Sequence, residues 1–196
     1  MSVNTTRART LVAAVATAVL AVGGLTACGD ADEPTKESGN SQEAGQEGDA
    51  KDAGAEDAGD AGDSAEGPYA GGDTAVYDSG LKVTVSTASP YQVGETDFGH
   101  TEGNEAYQVT ITLENTGEEN VDADLVSVSA RAGEEGTTVE EIYGDKVGTG
   151  FTGTVLPGKK ATAGFAYDVP ADAKVLDLEV ELFDFSTTPA QWSLSL

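Results

Sequence analysis

The chain carries one cysteine (Cys28), one histidine (His100), one tryptophan (Trp192) and no methionine beyond Met1. A single thiol excludes an internal disulfide, so the fold must be held by its core alone. It also excludes cysteine-rich zinc clusters, and one imidazole excludes sites built on several histidines. The soft sulfur ligands of a copper carrier are missing as well. Cations are scarce, with ten Lys and Arg against 35 Asp and Glu and a formal net charge of −25. Such a surface repels nucleic acid, anionic headgroups and other acidic polymers. Long apolar runs are also absent. The stretch from Leu11 to Leu20 breaks at Gly23-Gly24, short of the roughly 20 apolar residues that a spanning helix needs.

What the N-terminus does contain reads as an export signal. Arg7 and Arg9 precede the short apolar centre, and small residues follow it. The run Leu25-Thr26-Ala27-Cys28 resembles the lipobox of bacterial lipoproteins. That resemblance implies a signal peptide over residues 1–27, cleavage after Ala27 and a diacylglycerol thioether on Cys28. Acylation would account for a lone thiol in an exported chain, where cysteines are usually absent or even in number. Two acyl chains give stable membrane attachment where one does not. The expected location is the outer face of the cell membrane, extending into the cell wall.

Residues 28–72, the lipidated Cys28 included, read as a disordered acidic tether. From 29 to 72 there are 13 acidic residues against Lys36 and Lys51, no Leu, Ile, Val, Phe, Met or Trp, and Tyr69 as the sole aromatic. Asp52 to Asp63 is a loose Asp-Ala-Gly repeat. So little apolar surface cannot offset the entropy lost on folding. As free chain, such a stretch spans about 35–40 Å.

Residues 73–196 suit one domain with one core. Period-two alternation dominates, the mark of strands with one buried face. It is clearest at Leu81 to Val85, Tyr107 to Leu113, Val126 to Ala130, Ala161 to Tyr167, Leu176 to Leu182 and Trp192 to Leu196. Weaker strands are expected within 74–77, 137–142 and 150–155. Turns are marked by Asp78-Ser79-Gly80, Asn115-Thr116-Gly117, Pro157-Gly158 and Pro170. About seven to nine short strands without a helical stripe predict an all-β sandwich or barrel.

Three segments in order carry a family resemblance. Gly80 to Val85, then Tyr107 to Gly117, then Leu156-Pro157-Gly158 through Phe165 to Val169-Pro170 resemble the telokin-like, immunoglobulin-like domains of unknown function found on bacterial lipoproteins. The match spans about 75–185 and implies an immunoglobulin-like β-sandwich with no associated reaction. The Ala, Gly and Asp richness resembles actinobacterial proteins.

Candidate sites are few. Asp97, His100, Glu102 and Glu105 offer mixed nitrogen and oxygen ligands for zinc or manganese, but a solvated loop is the plainer reading. Glu118 to Asp124 clusters hard oxygen ligands suited to calcium, without the spacing of an EF-hand loop. Nothing resembles a nucleophile elbow around His100, so no catalytic residue, metal ligand or cofactor is assigned, and the chain is not expected to be an enzyme. Trp192 and Tyr107 are expected in the core. The expectation is a lipid-anchored, non-catalytic binding module whose partner is an envelope protein and not nucleic acid, with strand addition at a sheet edge as one route. The alternatives are a calcium-responsive accessory protein or a purely structural or antigenic surface protein.

Overall fold

The computed structural model describes residues 32–39, 67–184 and 186–196. The expected signal peptide, Cys28 and the Asp-Ala-Gly repeat lie outside the described residues.

The described chain is nearly all β, with a single 3-10 turn at Ala123–Leu125. The six clear alternating runs become β3 (Leu81–Val85), β5 (Glu105–Asn115), β7 (Val126–Ala132), β11 (Lys160–Val169), β12 (Val175–Leu182) and β13 (Ala190–Ser195). Between and before them lie seven short pieces. These are β1 (Thr35–Glu37), β2 (Thr74–Val76), β4 (Ser89–Pro90), β6 (Val121–Asp122), β8 (Thr137–Thr138), β9 (Glu140–Ile142) and β10 (Thr154–Val155). The larger sheet runs β1-β2-β3-β5-β11-β9, with β4 on the side of β5, and the second runs β13-β12-β7-β8. Every pairing among these strands is antiparallel.

The two sheets face each other across one core. Leu81, Val83, Val85, Ile111, Leu113, Phe165 and Tyr167 from the first sheet meet Ala130, Leu176, Leu178, Trp192 and Leu194 from the second. Period two fixes this arrangement, since slipping any of these strands by one residue would turn its apolar set to solvent. The expected immunoglobulin-like β-sandwich is therefore the fold.

The ends of strands follow the turn chemistry. Gly80 holds a positive φ of 87°, and a Cβ there would come within 2.5 Å of the Gly117 backbone. Only glycine allows those two turns to approach so closely. β11 stops at Val169 because Pro170 cannot donate to the ladder.

Two departures from the sequence reading lie in the expected tether. Tyr69 is buried and stacked on Trp192, with ring centroids 5.0 Å apart, so the domain begins before residue 73. Residues 35–37 pair with β2 in the register Thr35↔Val76, Lys36↔Ala75 and Glu37↔Thr74. A strand added at an edge is held by its backbone and needs no apolar alternation, so composition argued against it while hydrogen bonding made it.

Candidate functional site

Structure that the sequence did not foreshadow gathers at one end of the sandwich, where β5 begins and β11 ends. The connection from β4 to β5, residues 91–104, folds back across β9 there. Asp97 accepts the Tyr91 hydroxyl and the Gly94 amide, each at 2.8 Å. Phe98 and Tyr143 exchange two backbone hydrogen bonds, at 3.0 and 2.9 Å. Next to them Gly99, at φ 97°, passes against the Glu141 carbonyl so tightly that a Cβ would collide.

Asp168 is the pin of this end. On the outer face of β11, it is 6% exposed. Its carboxylate accepts the Asn104 side-chain amide at 2.7 Å and the Thr101 amide at 3.2 Å, and pairs with His100 Nδ1 at 2.7 Å. Burial alone would raise its pKa. The bonds from Asn104, Thr101 and His100 outweigh burial and hold it below the usual carboxylate range. Beneath the same connection, Ile142, Val147 and Ala166 form a second small core, flanked by Tyr91 and Ala106. The outer face of β11 is thus covered, which its simple alternation did not foretell.

Two side chains remain exposed on this pinned frame. Phe98 is 67% exposed and Tyr143 42%. Their rings stack at 5.8 Å with 20° between planes. Beside the pair, Pro90, Tyr91, Asp97 and Lys146 line a shallow depression of about 360 Å³. On the core-facing side of β9 and β11, Glu141 and Tyr167 are cross-strand partners in register, and burial raises the pKa of both.

The residues singled out from sequence separate into distinct places. Asp97 closes a turn, His100 binds Asp168, and Glu105 accepts the Tyr107 hydroxyl at 2.8 Å. Among the described residues, no three His, Cys, Asp or Glu side chains converge on a common point. In the 118–124 stretch, Asp122 accepts the Asp124 amide and so starts the 3-10 turn, while the Glu119 carbonyl accepts from Asn115. That stretch is accordingly a turn assembly. Asp168 gives His100 an orienting partner, but among the described residues no hydroxyl hydrogen-bonds to the ring. On the larger sheet β1 takes the edge of β2 and leaves only a three-residue strand, Thr35–Glu37, as the new edge, while the Phe98–Tyr143 bridge guards the other.

Residues 71–190 match the family described as a domain of unknown function, DUF4352. The chain belongs to that family. The match contains the 75–185 span over which the sequence resembles domains of unknown function. No curated protein matches the chain. Among solved structures, the DUF4352 domain is similar to the yjhA protein of Bacillus subtilis, at 19% identity and a TM-score of 0.49, over 65% of this chain and 99% of that one. It is also similar to a candidate lipoprotein, ycdA, of Bacillus subtilis subsp. subtilis str. 168. There the identity is 14% and the TM-score 0.48, over 60% of this chain and 37% of that one. A β-sandwich protein of Clostridium difficile 630 gives 15% identity and a TM-score of 0.41, over 66% and 95%.

The pinning carboxylates give the DUF4352 domain a defined acid response. Asp168, Asp73 and Asp184 all have pKa values lowered by hydrogen bonds that outweigh burial; at Asp73 the ion pair with Lys36 contributes too. A carboxyl whose pKa is lower folded than unfolded adds stability that is complete above the unfolded value, ~3.9. That stability drains as pH falls through the folded values. Glu141 runs the other way, since its raised pKa makes protonation a relief. The Gly94 and Tyr91 hydrogen bonds lower Asp97 as well, and with most of the shifted carboxyls on the lowered side the melting temperature should hold from neutral pH to about 5 and drop below about 4. Thermal melts across that range, with Asp168→Asn alongside, check this. An acid limb equally steep in the variant would remove Asp168 from the account.

Proposed function

We propose that this chain is a lipid-anchored surface module that binds an envelope protein through the pinned end of its sandwich, without catalysis. The exposed Phe98–Tyr143 stack carries the reading. Aromatic side chains are the commonest anchors of protein interfaces, and this pair is rigid before any partner arrives. Backbone bonds fix its spacing, and Asp97 and Asp168 fix the connection that presents it. Pre-ordered anchors bind at a lower entropic cost than mobile ones. The lipobox-like Leu25-Thr26-Ala27-Cys28 supports attachment to the outer face of the membrane through Cys28. Composition and charge fit an actinobacterial surface lipoprotein, with nucleic acid excluded by charge.

In-cell crosslinking of the intact protein, read by mass spectrometry, tests both parts. One envelope protein should be enriched, and Cys28→Ala should abolish both lipid labelling and that enrichment. Phe98→Asp should lose the same partner while shifting stability by less than about 0.5 kcal/mol, as expected for an exposed side chain. A Phe98→Asp variant that captures the partner as well as the parent would move the binding face elsewhere. Enrichment of bulk lipoproteins alone would favour a purely structural surface role.

A further inference from the structure

We infer that residues 32–38 are a clip that seats the domain close to the membrane, so that its reach from Cys28 is set by the few residues before Asp32 and not by the length of the acidic stretch. The inference rests on acylation of Cys28, as proposed above.

The clip is bonded at both ends. The Asp32 carboxylate accepts the Asp78 and Ser79 amides at 2.8 and 2.9 Å, closing over the β2–β3 turn. The Asp32 backbone donates to Ser186 and accepts from Thr188, which ties it to the chain leading into β13. At the other end Lys36 pairs with Asp73 at 2.8 Å and lies over the Tyr69 ring, 5.7 Å from its centroid. Glu37 pairs with Lys82 at 2.8 Å, and the Tyr69 hydroxyl donates to the Pro34 carbonyl.

Charge makes this arrangement specific. The clip and the domain both belong to acidic stretches that repel each other on net charge. Two of the chain's ten cations, Lys36 and Lys82, are nonetheless placed where the clip meets the domain, each against a carboxylate.

Direction then sets the geometry. β1 is antiparallel to β2, so Asp32 lies at the β2–β3 turn. Cys28 is four residues earlier, at most ~14 Å away along extended chain. Gly39 is beside Asp73, donating to its carboxylate, and the described chain resumes at Gly67. Gly39 and Gly67 are thus both on the domain, so the number of residues between them does not set its reach. Without the clip, the 41 residues from Cys28 to Tyr69 would span about 35 Å as free chain. The clip also sets orientation. Leu81 pairs with Asn115 at the clipped end, whereas Glu105 begins β5 at the other. Ile142 pairs with Ala166 opposite Gln108, so Tyr143 and its partner Phe98 lie on the side away from the membrane, ~20 Å further out along β5 than Asn115.

Three readings on the full-length lipoprotein test this. For the clip, Thr35→Cys/Val76→Cys joins residues directly opposite in register, within disulfide reach. That pair should crosslink spontaneously, whereas the off-register Thr35→Cys/Thr74→Cys should not. For the anchor, the protein should float with liposomes, and Cys28→Ala should not. For the standoff, a donor dye on Glu118→Cys should transfer energy strongly to acceptor-labelled lipid, and Asp32→Ala/Lys36→Glu should lose that transfer while still floating. Equal crosslinking of both cysteine pairs would overturn the clip. Transfer unchanged by the double variant would overturn the seating. Failure to float would overturn the anchor and the seating with it, while the crosslink still reports the clip by itself.

Discussion

Trp192→Ala should cost the domain about 3–5 kcal/mol, the usual range for truncating a buried large aromatic. Trp192 is fully buried on β13, opposite Leu178. Its indole N–H donates to the Asp73 carbonyl at 3.2 Å, and its ring supports Tyr69, over which Lys36 lies. Truncation therefore opens a cavity between the sheets, orphans a carbonyl and removes the floor of the stack that holds the clip. For a domain of this size the melting temperature should fall by about 10–20 °C. Against a total stability of about 5–15 kcal/mol, much of the protein's margin would be gone. Trp192→Phe keeps a ring against Tyr69 but not the donor, and should cost about 1–3 kcal/mol. Urea unfolding of the protein, unchanged and with each substitution, reads both values. A loss under about 1 kcal/mol for Trp192→Ala would be incompatible with Trp192 closing the core.

The strands that build this core were the legible part of the chain. Wherever one face is buried and the other wet, alternation is forced, and six runs from Leu81 to Leu196 carried it plainly. β1 was not legible for the converse reason. Its contacts are backbone bonds and ion pairs at an edge, so Thr35, Lys36 and Glu37 look like any polar linker. Tyr69 was the one signal inside the expected tether, a lone aromatic in a stretch otherwise without large apolar side chains. The pinned end was equally hidden. His100 and Asp168 are 68 residues apart, and nothing in either neighbourhood announces the partner. Asp168 does sit among the alternating residues of β11, where a carboxylate facing the covered side of a sheet demands donors. Phe98 lies in a Gly- and Glu-rich stretch that reads as a solvated loop, and its exposure cannot be seen from sequence.

Asn115 illustrates the limit of turn chemistry as an explanation, and it carries the second large effect. Sequence reads it as the start of an Asn-Thr-Gly turn, and its Oδ1 does accept the Gly117 amide at 3.0 Å. However, the residue is 1% exposed, and its Nδ2 donates to the Glu119 carbonyl at 2.7 Å and the Val155 carbonyl at 2.8 Å. One side chain therefore joins the end of β5 to the 118–122 connection and to β10. Asn115→Ala strands the Val155 carbonyl in the interior and leaves the Gly117 amide and Glu119 carbonyl in partly exposed places that water can reach, and should cost about 2–4 kcal/mol, about 1–3 kcal/mol of it from the buried orphan. Asn115→Asp preserves shape but replaces the donor with an oxygen facing two carbonyls. The new carboxyl can stay only by keeping its proton, so its folded pKa must rise above the unfolded value, ~3.9. A protonated carboxyl still has one O–H for two carbonyls, so a constant cost remains, while the pH-dependent part is absent below that pH, grows as pH rises through it and is complete above the folded pKa. Asn115→Asp should consequently be closest to the parent in acid and furthest from it at neutral pH. Urea unfolding of both proteins at pH about 4 and about 7 measures this. A difference that stayed constant with pH would mean that the carboxylate had found water, and that the Asn115 side chain is not enclosed between β5 and β10.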